Sequence, residues 1–255
     1  MTEQDKKGRP PAAPPGGSRI DMHSHLLPGI DDGCADLEQS LAAVRHLIAA
    51  GYGGSICTPH IWPTVYTNAP DHIRAWTIQL QQQIRVAGLS YTVWPGGELR
   101  LFEGAVEWMK QHGVPTLADS KCVLVDFWED EWPNWTGDCF RWLLDGGYQP
   151  ILAHPERLRP MADLDEQLKQ IAAMGVWFQG NFACMTGEEG IHADRRVRQF
   201  LRAGRYRFMA LDMHRPATLE GRLDGVKLLE EEFGTEMLDR FIVEAPRKYI
   251  LHGVA

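Results

Sequence analysis

Histidines and carboxylates recur in this chain just after short apolar segments, and these two residue types together bind transition metals. The first group, Asp21-Met22-His23-Ser24-His25, precedes Asp31-Asp32-Gly33. Alternate side chains of a strand point the same way, so His23 and His25 can reach one ion. The later groups are Thr58-Pro59-His60, Gly97-Glu98, Leu124-Val125-Asp126, His154-Pro155-Glu156-Arg157 and Asp212-Met213-His214. This pattern predicts a metal-dependent hydrolase.

Each of these residues also has a simpler structural explanation. Asp31 and Asp32 can form a turn before the glycine that follows them. Glu98 can cap a helix, and Asp126 can belong to an ordinary ion pair. His60 alone would be typical of a structural histidine. The metal interpretation therefore depends on several strand ends carrying such groups at once.

The elements that must position these groups alternate between strand and helix. The predicted strands cover 19–23, 54–58, 91–96, 121–127, 149–153, 176–180 and 207–212. Helical spacing lies between them, and the tail over 219–252 is mostly helical. Seven strands that alternate with helices predict an α/β barrel or a doubly wound sheet, and periodicity does not separate the two. In a parallel barrel the C-terminal strand ends meet on one face, where sites are built.

Length and composition narrow the class of protein. The 255 residues are 44% hydrophobic, which is enough for a full core. Residues 1–18 are polar and rich in Pro and Gly, so we expect a disordered extension before a single domain over 19–255. The net charge of −8 comes without a basic block, which argues against nucleic-acid binding. The sequence has no apolar run of the kind that predicts membrane insertion or a signal peptide. Its five scattered cysteines predict reduced thiols in the cytoplasm.

The order of the motifs resembles the PHP (polymerase and histidinol phosphatase) superfamily. More closely, it resembles the bacterial manganese-dependent tyrosine-protein phosphatases of capsule and exopolysaccharide loci. The opening IDMHSHLLPGIDDG, from Ile20 to Gly33, is the most specific part of the resemblance. The resemblance implies a distorted (β/α)7 barrel with a three-metal site. It also implies manganese, although a site of this type accepts iron or zinc as well.

Carried over by position, the resemblance implies three sets of metal ligands. These are His23, His25, Glu98 and Asp212 for the first metal, Glu98, Asp126 and His154 for the second, and Asp32, His60 and His214 for the third. One departure is Asp126, since the family usually has a glutamate there, one methylene longer. A second departure concerns an arginine expected a few residues after the last histidine.

The expected reaction is hydrolysis of a phosphomonoester by a metal-activated water. Arg157 would neutralise the phosphoryl oxygens, because its guanidinium matches two oxygens at once. Arg222 is preferred over Arg215 as the second phosphate-binding arginine, because Pro216 directly follows Arg215. His60 could assist departure of the leaving group. A cysteine mechanism is not expected, since none of the five cysteines has an arginine six positions later.

The resemblance alone implies the substrate, a phosphotyrosine tail of a bacterial tyrosine kinase that controls polysaccharide assembly. A PHP enzyme acting on a small phosphomonoester, such as histidinol phosphate, is the main alternative. An amidohydrolase would usually add a lysine or further histidines as ligands. A metal-stabilised module without catalysis is a third alternative, and the oligomeric state stays open.

Overall fold

The computed structural model describes residues 17–127, 132–160 and 163–252. Residues 1–16 of the extension predicted over 1–18 therefore lie outside the described residues. Within the described ranges the strands are β1 (Arg19–Ser24), β2 (Tyr52–Cys57), β3 (His60–Ile61), β4 (Thr92–Pro95), β5 (Glu98–Arg100), β6 (Cys122–Asp126), β7 (Gln149–Ala153), β8 (Trp177–Asn181) and β9 (Tyr206–Ala210).

Helices separate most of these strands, as the alternating pattern predicts. They are α1 (Leu37–Ala49), α2 (Pro70–Val86), α3 (Ala105–His112), α4 (Asn134–Asp145), α5 (Leu164–Met174), α6 (Ile191–Arg202), α7 (Leu219–Phe233) and α8 (Thr235–Asp239). A wider, π-type helix continues over Arg240–Glu244 and Pro246–Ile250, and we call Arg240–Ile250 the C-terminal π segment. The Asp36 side chain caps α1 by accepting a hydrogen bond from Gln39 N at 2.9 Å.

All strand pairs are parallel, and they form two sheets. One has the order β1-β2-β4, and the other has the order β3-β5-β6-β7-β8-β9. A bridge between Ser24 and Met213 brings β1 beside the end of β9. The two sheets thus occupy the seven positions of a distorted α/β barrel, which confirms the predicted fold. The barrel is not closed by one continuous ladder.

Two of the seven predicted strands are interrupted, and the sequence pattern did not reveal this. The second strand breaks at Thr58-Pro59, where proline has no N–H for the ladder. The third breaks at Gly96 and Gly97, so that Glu98 begins β5 rather than ending the preceding strand. A Cβ atom on Gly97 would lie 2.6 Å from Ile61 Cδ1, so a larger residue at this position would displace the end of the Ile61 side chain.

Two apolar clusters lie on opposite sides of the strands. The outer cluster joins strand residues to the surrounding helices, for example Val123 to Phe140. The inner cluster contains Leu124, Ile151 and Phe208, together with apolar residues of the C-terminal π segment. Neighbouring strand residues alternate between the two clusters, as the period of two requires. Apolar side chains therefore fill the interior of the barrel between its two ends.

Helix α7 packs unusually closely on the turn after β8. A Cβ atom on Gly225 would lie 2.1 Å from the Phe182 carbonyl oxygen. Gly225→Ala should therefore lower the free energy of unfolding by about 1–3 kcal/mol, although alanine is the better helix former. Gly137→Ala, on α4 with no atom within 4 Å of the added Cβ, should instead raise it by up to about 1 kcal/mol. Urea unfolding of both variants checks this, and a stabilised Gly225→Ala would contradict the close packing.

Candidate metal centre

The nine predicted metal ligands all lie within the described residues, at one end of the barrel. Some occur at strand ends, such as His23 on β1 and Asp126 on β6. His60 and Glu98 instead begin the short paired strands β3 and β5, where they are direct neighbours across the ladder. Together the nine form four overlapping groups whose ligand atoms lie within 4.8 Å of one another.

Four atoms of the first predicted ligand set lie close together, each carboxylate oxygen being next to both imidazole nitrogens: His23 Nε2, His25 Nε2, Glu98 Oε2 and Asp212 Oδ1. The two imidazole nitrogens are 3.3 Å apart. Each nitrogen lies 3.3 Å from the Asp212 oxygen and 3.4 or 3.5 Å from the Glu98 oxygen. Separations of 3.3–3.5 Å are those expected for atoms that bind one metal ion at about 2.1 Å each.

The two carboxylate oxygens of this set are also buried without a hydrogen bond. Both Glu98 Oε2 and Asp212 Oδ1 lack a hydrogen-bond partner, although their residues are at most 2% exposed. His60 Nδ1 lies 2.8 Å from Glu98 Oε2, but the two groups are not aligned for a hydrogen bond. A buried carboxylate oxygen without a partner is costly. The donor types and their separations therefore fit a bound divalent metal.

The third set lies nearer the surface. Asp32 Oδ1 is 3.4 Å from His60 Nε2 and 3.5 Å from His214 Nε2. The rings of His25 and His214 stack with their centroids 3.8 Å apart, which joins this set to the first. The Asp32 side chain is 43% exposed, so this part of the centre is open to solvent.

The second set is less convergent. His154 Nε2 lies 3.0 Å from Glu98 Oε1, whereas His154 Nδ1 is 3.8 Å from Asp126 Oδ1. The same Asp126 oxygen accepts a hydrogen bond from Phe127 N at 2.6 Å. The Asp126 side chain is thus held by the backbone of the following residue.

Two of the nine residues have a backbone conformation that is rare for residues other than glycine. His154 has φ 32° and Asp212 has φ 50°. Both follow strands directly or closely, and the left-handed turn redirects the side chain toward the centre. Such conformations cost free energy and persist where the surrounding structure requires them.

Sequence reasoning missed the residues that orient the ligands. Asp31 Oδ2 lies 2.7 Å from His25 Nδ1, and Gln179 Oε1 lies 2.9 Å from His23 Nδ1. If each Nδ1 carries the proton, both Nε2 atoms are left to bind metal. Asn181 Nδ2 donates to Asp212 Oδ2 at 2.7 Å. Two features of the sequence could have indicated these orienting residues: the pair of aspartates before Gly33 and the polar end of the sixth predicted strand.

Comparison with known proteins agrees with this architecture. Residues 19–251 match the family model for capsular polysaccharide synthesis, CpsB/CapC. The chain belongs to this family. It is 29% identical over 219 residues to the tyrosine-protein phosphatase YwqE of Bacillus subtilis, covering 86% of each chain. It is 26% identical over 235 residues to CpsB of Streptococcus agalactiae, covering 88% of this chain and 95% of that one.

Solved structures place the fold of this CpsB/CapC-family protein among metal-dependent hydrolases. A crystal structure from a study of YwqE of Bacillus subtilis and CpsB of Streptococcus pneumoniae, described as unique metal-dependent tyrosine phosphatases, matches with a TM-score of 0.78 and 29% identity. It covers 86% of this chain and 89% of the other. The phosphotriesterase homology protein of Escherichia coli matches with a TM-score of 0.58 and 11% identity, over 92% and 99% of the chains, and shows the shared fold only.

Electrostatics explain why the centre of this family member favours a cation. Burial would raise the pKa values of Glu98 and Asp212, but nearby imidazoles outweigh burial and hold both well below the usual range. Burial raises the pKa of Asp126, and the charge of Glu98 raises it further. A divalent cation among them would favour the ionised form of all three carboxyl groups.

The two predicted arginines differ in position. Arg157 Nη1 donates to Asp212 Oδ2 at 3.1 Å, and its Nε lies 3.3 Å from Glu189 Oε2. Arg157 also lines a cavity of about 170 Å³ beside Asp126. Arg222 lies in the first turns of α7, and its buried Nε has no hydrogen-bond partner. Within the described ranges no hydrogen bond or ion pair joins Arg222 to a predicted ligand.

Asp31 supplies a direct test of ligand orientation. Asp31→Asn should weaken binding of Mn²⁺ by about 10- to 100-fold, because the amide no longer holds the proton on His25 Nδ1. Glu38→Gln, which removes one exposed carboxylate from α1, is the charge-matched control and should leave the affinity unchanged. Calorimetric titration of metal-stripped protein gives both values. Equal affinities for the two variants would show that Asp31 does not orient the ligand.

Proposed function

We propose that this protein is a metal-dependent protein-tyrosine phosphatase. The observation that carries the proposal is the four-atom cluster of His23, His25, Glu98 and Asp212, with the Arg157 guanidinium directly on Asp212. This arrangement suits a dianionic phosphate better than a neutral substrate, because Arg157 adds positive charge beside the metal ligands. Membership of the CpsB/CapC family and the named phosphatase relatives support the same reaction.

The cofactor we propose is manganese, at the three ligand sets described above, with iron or zinc as alternatives. When bound, the metals supply an activated water and neutralise phosphoryl charge. Arg157 and Arg222 would bind and orient the phosphoryl oxygens. A tyrosine phenolate can leave with little protonation, because its conjugate acid has a pKa of about 10. The leaving-group role of His60 stays a prediction, since both of its ring nitrogens face carboxylates.

The proposed substrate is a phosphotyrosine tail of a bacterial tyrosine kinase that acts in polysaccharide synthesis. The cavity beside Arg157 measures about 170 Å³, below the roughly 300–1,000 Å³ typical of sites that enclose a small molecule. Solvent also reaches the third ligand set at Asp32. An open site of this kind favours a phosphorylated side chain on a protein over an enclosed metabolite.

A cytoplasmic location is part of the proposal. All five cysteines are buried and free, which is consistent with a reducing compartment. Among the helices of the described residues, none has the length and apolar character that crossing a bilayer requires.

Metal-dependent hydrolysis of a phosphotyrosine peptide tests the function. Activity should require added Mn²⁺ and be lost in His23→Ala and Asp212→Ala. Arg157→Gln should lower kcat/KM by about 100-fold or more, because a charge at the phosphoryl oxygens is removed. Arg195→Gln, exposed on α6, is the matched control. Faster hydrolysis of histidinol phosphate than of the peptide would support the small-phosphomonoester alternative. Turnover by the metal-free enzyme would rule out both metal-dependent reactions.

The second phosphate-binding arginine can be tested separately. We expect Arg222→Gln to lower kcat/KM by about tenfold, because a guanidinium that binds a phosphoryl oxygen would be lost. Arg215→Gln, an exposed residue between the third ligand set and α7, should change kcat/KM by less than about threefold. Steady-state kinetics with the phosphotyrosine peptide measure both. The reverse order of effects would transfer the role to Arg215.

A further inference from the structure

A second cavity, of about 590 Å³, lies at the end of the barrel opposite the metal centre. Residues at the N-terminal ends of β8 and β9, including Trp177 and Arg207, line one side. Residues of the C-terminal π segment, including Tyr249, line the other. The strands between the two ends are five residues long, or about 17 Å. This cavity is therefore separate from the phosphatase site.

The charge of this cavity is opposite to that of the chain as a whole. Four cationic side chains line it, namely Arg205, Arg207, Arg240 and Lys248. One carboxylate, Glu244, lies beside them, although the net charge of the chain is −8. Among the described residues, none of the four cations forms an ion pair with a carboxylate. Four unpaired cations around one concave surface of an acidic protein indicate an anion-binding site.

Aromatic rings hold these cations in place. The Arg207 guanidinium lies 4.9 Å from the Trp177 ring centroid and 5.2 Å from that of Tyr249. Its Nη1 also donates to Tyr249 Oη at 3.4 Å. Lys248 Nζ lies 5.1 Å from the Tyr249 ring, and Arg205 packs at 4.7 Å over Phe200. The rings thus orient the cations rather than offering an open face for a nucleobase.

The cations are divided between two walls of the cavity. Arg205 and Arg207 flank the start of β9, whereas Arg240 and Lys248 belong to the C-terminal π segment. A ligand that uses both walls would carry two anionic groups. The volume lies within the roughly 300–1,000 Å³ of small-molecule sites, and a guanidinium fork matches the oxygens of a phosphate. We propose that this cavity binds a small molecule with two phosphate-type groups.

The test uses a stable dianion that neither hydrolyses nor competes strongly for metal, 1,3-propanedisulfonate, with ethanesulfonate as the single-charge comparison. Binding to the metal-loaded protein is followed by NMR through the indole N–H signals of the nine tryptophans. The Trp177 signal is identified by its loss in Trp177→Phe. We expect this signal to shift to saturation, with about tenfold tighter binding of the disulfonate than of ethanesulfonate.

Charge-matched variants then locate the interaction. Arg207→Gln/Lys248→Gln should weaken disulfonate binding by about tenfold or more. Arg240→Gln/Lys248→Gln is a second double variant, which replaces the first if the first does not fold. The control Arg85→Gln/Arg195→Gln removes two exposed charges outside the cavity and should change the Kd by less than about twofold. Arg157→Gln should leave the Trp177 titration unaltered.

Several results would overturn the proposal. A Trp177 signal that does not move, or an equal loss of affinity in the control, would show that no specific site exists. Loss of the Trp177 titration in Arg157→Gln would assign the effect to the metal centre. A shift produced by a single-stranded oligonucleotide but not by the disulfonate would identify a nucleic-acid surface instead of a small-ligand site.

Discussion

The structure depends on one electrostatic constraint, the burial of two carboxylate oxygens beside the same pair of imidazole nitrogens. Glu98 Oε2 and Asp212 Oδ1 have no hydrogen-bond partner, and burying such charges without compensation costs several kcal/mol. His23 Nε2 and His25 Nε2 lie 3.3–3.5 Å from both oxygens, and nearby imidazoles hold the pKa values of both carboxyl groups well below the usual range. A divalent cation bound by the same atoms would compensate these charges directly, and strands distant in sequence bring the atoms together.

Much of this arrangement could be predicted from the sequence, because most of the predicted metal ligands lie at or just after the ends of strands. The seven strand positions followed from short apolar segments. Their alternation with helices left a barrel and a doubly wound sheet open, and the resemblance to the PHP superfamily decided between them. The interruption at Gly96 and Gly97 could not be predicted, because it separates strands that pair in two different sheets, and this pairing is not visible in the local pattern. Similarly, Gln179 contacts His23 across 156 residues of sequence, a register that no local pattern contains.

The apolar interior of the barrel separates two sites of opposite charge. At one end, carboxylates and imidazoles favour a cation, and at the other, cations without a carboxylate partner among the described residues favour an anion. Leu124, Ile151 and Phe208 lie between them with no exposed surface. Strands β8 and β9 nevertheless connect the two ends, since β8 runs from Trp177 at the basic cavity to Asn181 at the metal centre. A ligand in the basic cavity would therefore contact the starts of strands whose other ends lie close to Asp212.

The second predicted ligand set is the least convergent part of the centre. In the first set, the two imidazole nitrogens lie 3.3 Å apart and 3.3–3.5 Å from each carboxylate oxygen. In the second set, Asp126 Oδ1 already accepts a hydrogen bond from Phe127 N, and the nearest imidazole nitrogen is 3.8 Å away. The two predicted sets share Glu98, so a change at that residue would affect both.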